Sequence, residues 1–188
     1  MSKQNTPSAD HNLYVGDSCI HGIGVYARQP ISRGNAFCYL TGHVRHQVYV
    51  TEADGLLHPN EFCIGQDLWL DPDPPFCSLN HSCEPNCAQL DNLALAAIDD
   101  IAPDTELTID YSRSELFEPW RMRCSCGSPK CRNVIASVHA FSGEHFRVLS
   151  NMNTIPLFAA IAYESHLANK ALLAAYGPAE LSVGSSAS

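Results

Sequence analysis

Four cysteines and one turn hold the densest chemistry in this chain. Cys124, Cys126 and Cys131 form a C-x-C-x4-C cluster, three soft ligands inside eight residues. Zinc prefers four ligands in a tetrahedron, so such a cluster lacks one. The upstream turn Asn80-His81-Ser82-Cys83-Glu84-Pro85-Asn86 offers Cys83, and Cys87 four residues on is its competitor. A fourth ligand from either would let a metal tie two distant parts of the chain into one site. Two further segments carry reactive or permissive residue types. Gly22-Ile23-Gly24 allows a tight turn and close backbone approach, and Glu106-Leu107-Thr108-Ile109-Asp110-Tyr111 ends on a phenol. Taken singly these are bland. G-x-G reads as a β-turn, Tyr111 as an edge-strand aromatic, and Asn80 or His81 as partners of backbone groups near a turn. Asn86, after Pro85, reads as a turn residue; His139 and His145 read as surface or helix residues.

These residues must be positioned by short elements. Strand-like runs cover Leu13–Val15, Gly24–Ala27, Ala36–Leu40, Val44–Val50, Phe62–Ile64, Leu68–Leu70, Leu93–Ile98 and Glu106–Ile109. Turn signals fall at Gly22, Gly34, Gly42, Gly55, Asp71-Pro72-Asp73-Pro74-Pro75 and Pro103-Asp104. Many short strands with frequent turns predict a mainly β fold of small sheets. The absence of βαβ alternation argues against a doubly wound nucleotide fold. After Cys131 the pattern becomes helical over 142–150 and 155–176, with Leu157, Phe158, Ile161, Leu167, Leu172 and Leu173 predicting a broad apolar face. Asn153 or Thr154 is the expected cap of the second helix, and Gly177-Pro178 its stop. The expected organisation is a disordered arm at 1–10, the main domain at 11–113 and a cysteine segment at 120–135. A helical extension follows at 142–177, then a flexible tail at 178–188.

Composition narrows the class. The chain has 188 residues, 45% apolar and 16% charged, enough for one domain with a real core. No apolar run is long enough for a bilayer, and the polar start lacks the stretch of a secretion signal. Nine cysteines, an odd count, are better explained by one metal site in a reducing, intracellular compartment than by disulfides. Cys19, Cys38 and Cys63 are expected in the core. A net charge of −9 with no lysine/arginine tract argues against direct nucleic-acid binding. An acidic surface would favour a basic protein segment as partner, or simply solubility.

Gly22-Ile23-Gly24-Val25-Tyr26-Ala27, the NHSCEPN turn, ELTIDY and the terminal C-x-C-x4-C occur in that order, and together they resemble the signatures of SET-domain protein lysine methyltransferases. The resemblance spans roughly 11 to 135. It implies a SET-domain (β-clip-like) fold with a C-terminal helical extension, a post-SET zinc-binding cluster and no pre-SET module. The implied reaction is methyl transfer from S-adenosylmethionine to the amine of a lysine in a protein substrate. By resemblance, Gly22, Ile23, Gly24, Tyr26, Asn80, His81 and Tyr111 bind the cofactor, and Tyr111 is catalytic. Cys83, favoured over Cys87, joins Cys124, Cys126 and Cys131 on a structural zinc. Tyr39 and Ile109 are the candidate substrate-channel residues.

The chain departs from the family pattern in places. Tyr39 stands one residue further from its glycine than usual, and His43 replaces a common acid. Cys77 stands where an arginine is usual. Ile109 replaces the aromatic that helps set how many methyls a lysine receives, so product specificity does not carry over. These departures keep a second reading open, a catalytically inactive SET-like peptide-binding module. A third, a redox or metal-handling protein, leaves NHSCEPN and ELTIDY unexplained.

Overall fold

In a computed structural model, the structure describes residues 12–46 and 61–176. Among the described residues, twelve strands build small sheets: β1 (Leu13–Asp17), β2 (Ile23–Ala27), β3 (Ala36–Tyr39), β4 (Gly42–His46), β5 (Phe62–Gly65), β6 (Leu68–Pro72), β7 (Asn80–His81), β8 (Cys87–Gln89), β9 (Ala94–Ala97), β10 (Glu106–Ile109), β11 (Arg121–Arg123) and β12 (Val134–Ala136). The sheet that builds the site has the order β1-β2-β10-β7. In it β2 pairs with β1 and β10 antiparallel, while β7 joins β10 parallel, Thr108 opposite Asn80 and Ile109 opposite His81. The other sheets run β3-β9-β8, β4-β6-β5 and β11-β12. Leu13, Val25, Leu70, Leu95 and Leu107 pack in the common core, each no more than 2% exposed. The alternating or fully apolar runs of the sequence account for these strands. The two-residue β7 and the three-residue β8 have too short a pattern to be read in advance.

Two helices follow, α1 (Gly143–Asn151) and α2 (Leu157–Tyr176). Ser142 caps α1 by accepting the His145 N–H at 3.2 Å. The expected cap of α2 is overturned. Asn153 takes a left-handed φ of 52° after α1, Thr154 donates its hydroxyl to the Leu149 carbonyl, and the Leu157 N–H is taken by Asp91 from the β8–β9 turn. The packing face also differs from the expected one. Ala159 and Tyr163 are buried, the latter stacked on Phe146 at 3.8 Å, whereas Leu157, Ile161, Leu167, Leu172 and Leu173 are 41–61% exposed. A small alanine lets the helix approach closely, and only its first turns meet the body. Cys38 and Cys63 are buried, but Cys19 lies exposed in the β1–β2 loop. The arm 1–10, the tail 178–188, the Gly177-Pro178 stop, Gly55 and residues 47–50 of the fourth strand-like run lie outside the described residues.

Candidate active site

The β1–β2 loop is closed by the Ser18 N–H on the Gly22 carbonyl at 3.0 Å, with Gly22 at a left-handed φ of 53° that glycine adopts without strain. Asn80 anchors this loop from β7: its side-chain amide reaches the His21 and Ile23 carbonyls at 3.2 and 3.0 Å and Glu106 Oε1 at 2.8 Å. Glu106 also accepts from the Ser18 hydroxyl at 2.8 Å. Gly24 owes its identity to this carboxylate, since a Cβ there would stand 2.2 Å from Glu106 Oε1. Asn86 braces the other edge of β10 as a strand would: its amide donates to the Glu106 carbonyl at 2.8 Å and its oxygen accepts the Thr108 N–H at 2.9 Å.

His81 and Tyr111 are joined by the same strand pairing. The Tyr111 N–H donates to His81 Nδ1 at 3.2 Å, so the ring proton sits on Nε2, 3.4 Å from Cys83 Sγ. Burial pulls His81 down to about 4, which makes its 3.5 Å approach to Asp110 a contact of a neutral ring rather than an ion pair. The Tyr111 hydroxyl donates to the Leu79 carbonyl at 2.7 Å. Burial first, and Glu106 second, push this phenol up to about 12, so it stays a neutral hydroxyl.

Two cavities open on either side of Tyr111. The larger, about 650 Å³, is walled by Gly22, Ile23, Asn80, His81 and the segment Met122–Cys126. The smaller, about 240 Å³, is lined by Phe62, Trp69, Phe76, Glu115 and Trp120 among others. Tyr111, Cys77, Leu79 and Met122 belong to both walls. Tyr111 therefore belongs to the wall that the two cavities share.

Cys83, Cys124, Cys126 and Cys131 converge with all four sulfurs within 4.8 Å of one another. The Cys83–Cys124 and Cys124–Cys131 sulfur separations are 3.8 and 3.7 Å. A tetrahedron with zinc–sulfur bonds of about 2.3 Å has edges of about 3.8 Å, so the donor set fits zinc. Cys87 is buried in β8, away from this cluster. Arg132 locks the cluster to the sheet. Its backbone N–H and Nε point at Cys83 Sγ at 3.3 and 3.4 Å, and its guanidinium pairs with the buried Asp110.

Residues 22–112 match the family described as SET domain. This SET-domain match covers just under half of the chain. Similar curated proteins include the histone-lysine N-methyltransferase ATX2 of Arabidopsis thaliana, 28% identical over 145 residues and covering 68% of this chain but 13% of the relative. The H3 lysine-4 specific histone-lysine N-methyltransferase of Schizosaccharomyces pombe is 30% identical over 65% of this chain and 15% of its own length. The H3 lysine-9 specific dim-5 of Neurospora crassa is 32% identical over 48% of this chain and 36% of its own. The chain thus spans a minor part of the relatives it matches. Among solved structures, KRYPTONITE in complex with mCHG DNA and SAH is 30% identical, covering 65% of this chain and 28% of that one, TM-score 0.49. KRYPTONITE with mCHH DNA, an H3(1-15) peptide and SAH is similar, at TM-score 0.48.

Within the matched segment, Gly22, Ile23, Asn80, His81 and Tyr111 meet in the larger cavity. Gly24 and Tyr26 lie outside its lining; Tyr26 instead stacks on Tyr14 at 5.3 Å and donates to the Asp17 carbonyl. Tyr39 is 62% exposed on β3, and Ile109 is 2% exposed in the core; neither lines the paired cavities. Sequence reasoning missed Glu106, Asp110, Arg132 and Glu115. Their partners are remote in the chain, and no local pattern announces a carboxylate that will face a loop or a guanidinium.

Proposed function

We propose that this SET-domain protein transfers the methyl group of S-adenosylmethionine to the side-chain nitrogen of a lysine in a protein substrate. The observation that supports it most is Tyr111, which together with Cys77, Leu79 and Met122 lines both cavities. The cofactor, when bound, supplies an electrophilic methyl on a sulfonium. Gly22, Ile23, Asn80, His81 and Tyr111 would hold it in the larger cavity, with Met122–Cys126 as the outer wall. The smaller cavity admits the lysine.

The chemistry asked of the residues is modest. Lysine is normally protonated, with pKa near 10.4, and desolvation beside a sulfonium lowers that value. The reacting nitrogen must then point at the methyl, and orientation supplies much of the rate. Tyr111 is suited to this: its proton is committed to Leu79, so its oxygen presents lone pairs to polarised C–H groups or the amine. Zinc on Cys83, Cys124, Cys126 and Cys131 is structural, with no open position, and holds the cavity wall in place.

The substrate is a lysine-bearing protein, favoured when basic by the net charge of −9. The same charge, without a basic tract, supports a protein that makes no direct contact with nucleic acid. Thiol ligands support a reducing, intracellular setting. Incubation with isotope-labelled S-adenosylmethionine, recombinant histones and cell extract tests the reading, with Tyr111→Phe alongside. Label on lysine that disappears in the variant is expected. Failure to bind the cofactor overturns it and leaves the inactive peptide-binding module.

A further inference from the structure

The smaller cavity holds two carboxylates that methyl transfer as described leaves unused. Glu61 and Glu115 line it beside the rings of Phe62, Trp69, Phe76 and Trp120. Glu61 lies 3.5 Å from the Arg45 guanidinium. Glu115, 7% exposed, is held by backbone: the Phe117 N–H donates to its Oε1 at 2.7 Å. That bond orients the carboxylate without supplying a cation. Glu115 also stands one turn after Tyr111, its N–H donating to the Tyr111 carbonyl at 3.1 Å, so phenol and acid enter the cavity from one short segment. A buried carboxylate among aromatic rings is a costly arrangement that a cation relieves.

We propose that Glu115 receives the cationic head of the substrate lysine and accepts its proton, an inference that rests on the methyl-transfer reading above. The ammonium gives one proton to the carboxylate, leaving a neutral amine and a carboxylic acid. The nitrogen lone pair then forms the bond to the methyl carbon as the carbon–sulfur bond breaks, its electrons remaining on sulfur. The acid later returns its proton to water. Burial raises Glu115 to about 7, close to the range where an acid can both take and release a proton. The other titratable or charged groups around the cavity are Glu61, Cys63, Cys77, Tyr111 and Arg121. Cys63 and Tyr111 are each raised to about 12 by burial, so neither exchanges protons near neutrality. Arg121 is tied to the Glu118 and Trp120 carbonyls, both at 2.7 Å.

The test uses n-butylammonium, a lysine side chain without its backbone. The chain's two tryptophans both line the cavity, so their fluorescence reports occupancy. Binding is expected to tighten from pH 6 to pH 8 as Glu115 ionises. Glu115→Gln should weaken it about tenfold at pH 8 and flatten the pH dependence, while Glu115→Asp restores part and Glu61→Gln keeps the pH dependence. Thermal melts check that each variant folds. Equal amine affinity in wild type and Glu115→Gln, or no fluorescence response, overturns the inference. Methyl transfer that shows the same pH profile with Glu115→Gln overturns the proton role. Amine binding that needs Glu115, in a wild type that moves no methyl, sinks the methyltransferase reading and leaves the cation site standing.

Discussion

The Tyr111 hydroxyl donates one hydrogen bond, to the Leu79 carbonyl, and Tyr111 lines both cavities, so the hydroxyl can be removed at small structural cost. Tyr111→Phe leaves the Leu79 carbonyl without its donor, about 1 kcal/mol of stability, but should lower methyl transfer by about a hundredfold or more. Calorimetry and single-turnover kinetics on the same sample separate the two effects. Gly24 is a sterically constrained position, since a Cβ there would meet the Glu106 carboxylate. Gly24→Ala would force a Cβ onto Glu106, at a cost of about 1–3 kcal/mol, and Glu106→Gln in the same chain should not relieve it, because the clash is with atoms rather than charge. Glu115 gives a pH signature. Its folded pKa of about 7 lies above the ordinary 4.5, so the folded state holds the proton more tightly. The associated stability is present below pH 4.5 and is lost as pH rises through about 7. The penalty above that range is on the order of 3 kcal/mol. Glu115→Gln should therefore melt higher than wild type at pH 8 and at nearly the same temperature at pH 4, a comparison that thermal scans decide.

At the scale of elements, the site depends on strands too short to hold themselves. β7 has two residues and is kept in place by pairing with β10, by the Asn80 amide on the β1–β2 loop and by His81 under the Tyr111 N–H. Asn86 completes β10 by standing in for a missing strand, satisfying one donor and one acceptor that would otherwise be buried unpaired. The helical extension is joined to the β3-β9-β8 sheet through Asp91 in its β8–β9 turn. Asp91→Ala should cost about 1 kcal/mol, the range of a lost helix cap. It should also speed amide exchange in the first turn of α2, read by mass spectrometry, with no change in zinc content.

For the molecule as a whole, the cysteine segment supplies one wall of the larger cavity. Met122–Cys126 wall the larger cavity, and their position is set by sulfurs held against Cys83. Arg132 and Asp110 then tie the same segment to ELTIDY. One zinc per chain is the expected content by atomic emission. Chelation, or Cys126→Ser, should release it and weaken S-adenosylmethionine binding by more than tenfold, because structural zinc contributes folding free energy to its own segment. Retained cofactor affinity in the metal-free protein would show that the wall stands without the ion.

How much of this was legible beforehand depended on where the information lay. The strands with clear apolar runs, both helices and the cysteine spacing could be read locally, since period and ligand chemistry are written in neighbouring residues. The same holds for the segments that line the larger cavity, which sit in turns with recognisable residues. The tertiary structure decided what depends on partners far apart in sequence. It chose Cys83 over Cys87 by placing one sulfur beside Cys124 and burying the other. It assigned the α2 cap to Asp91, turned the leucines of α2 outward, and made Gly24 a place for Glu106. It also set Glu115 and Tyr111 on the wall of one cavity. Local propensity carries no record of which distant side chain will arrive, because burial and electrostatic pairing exist only once the chain has folded.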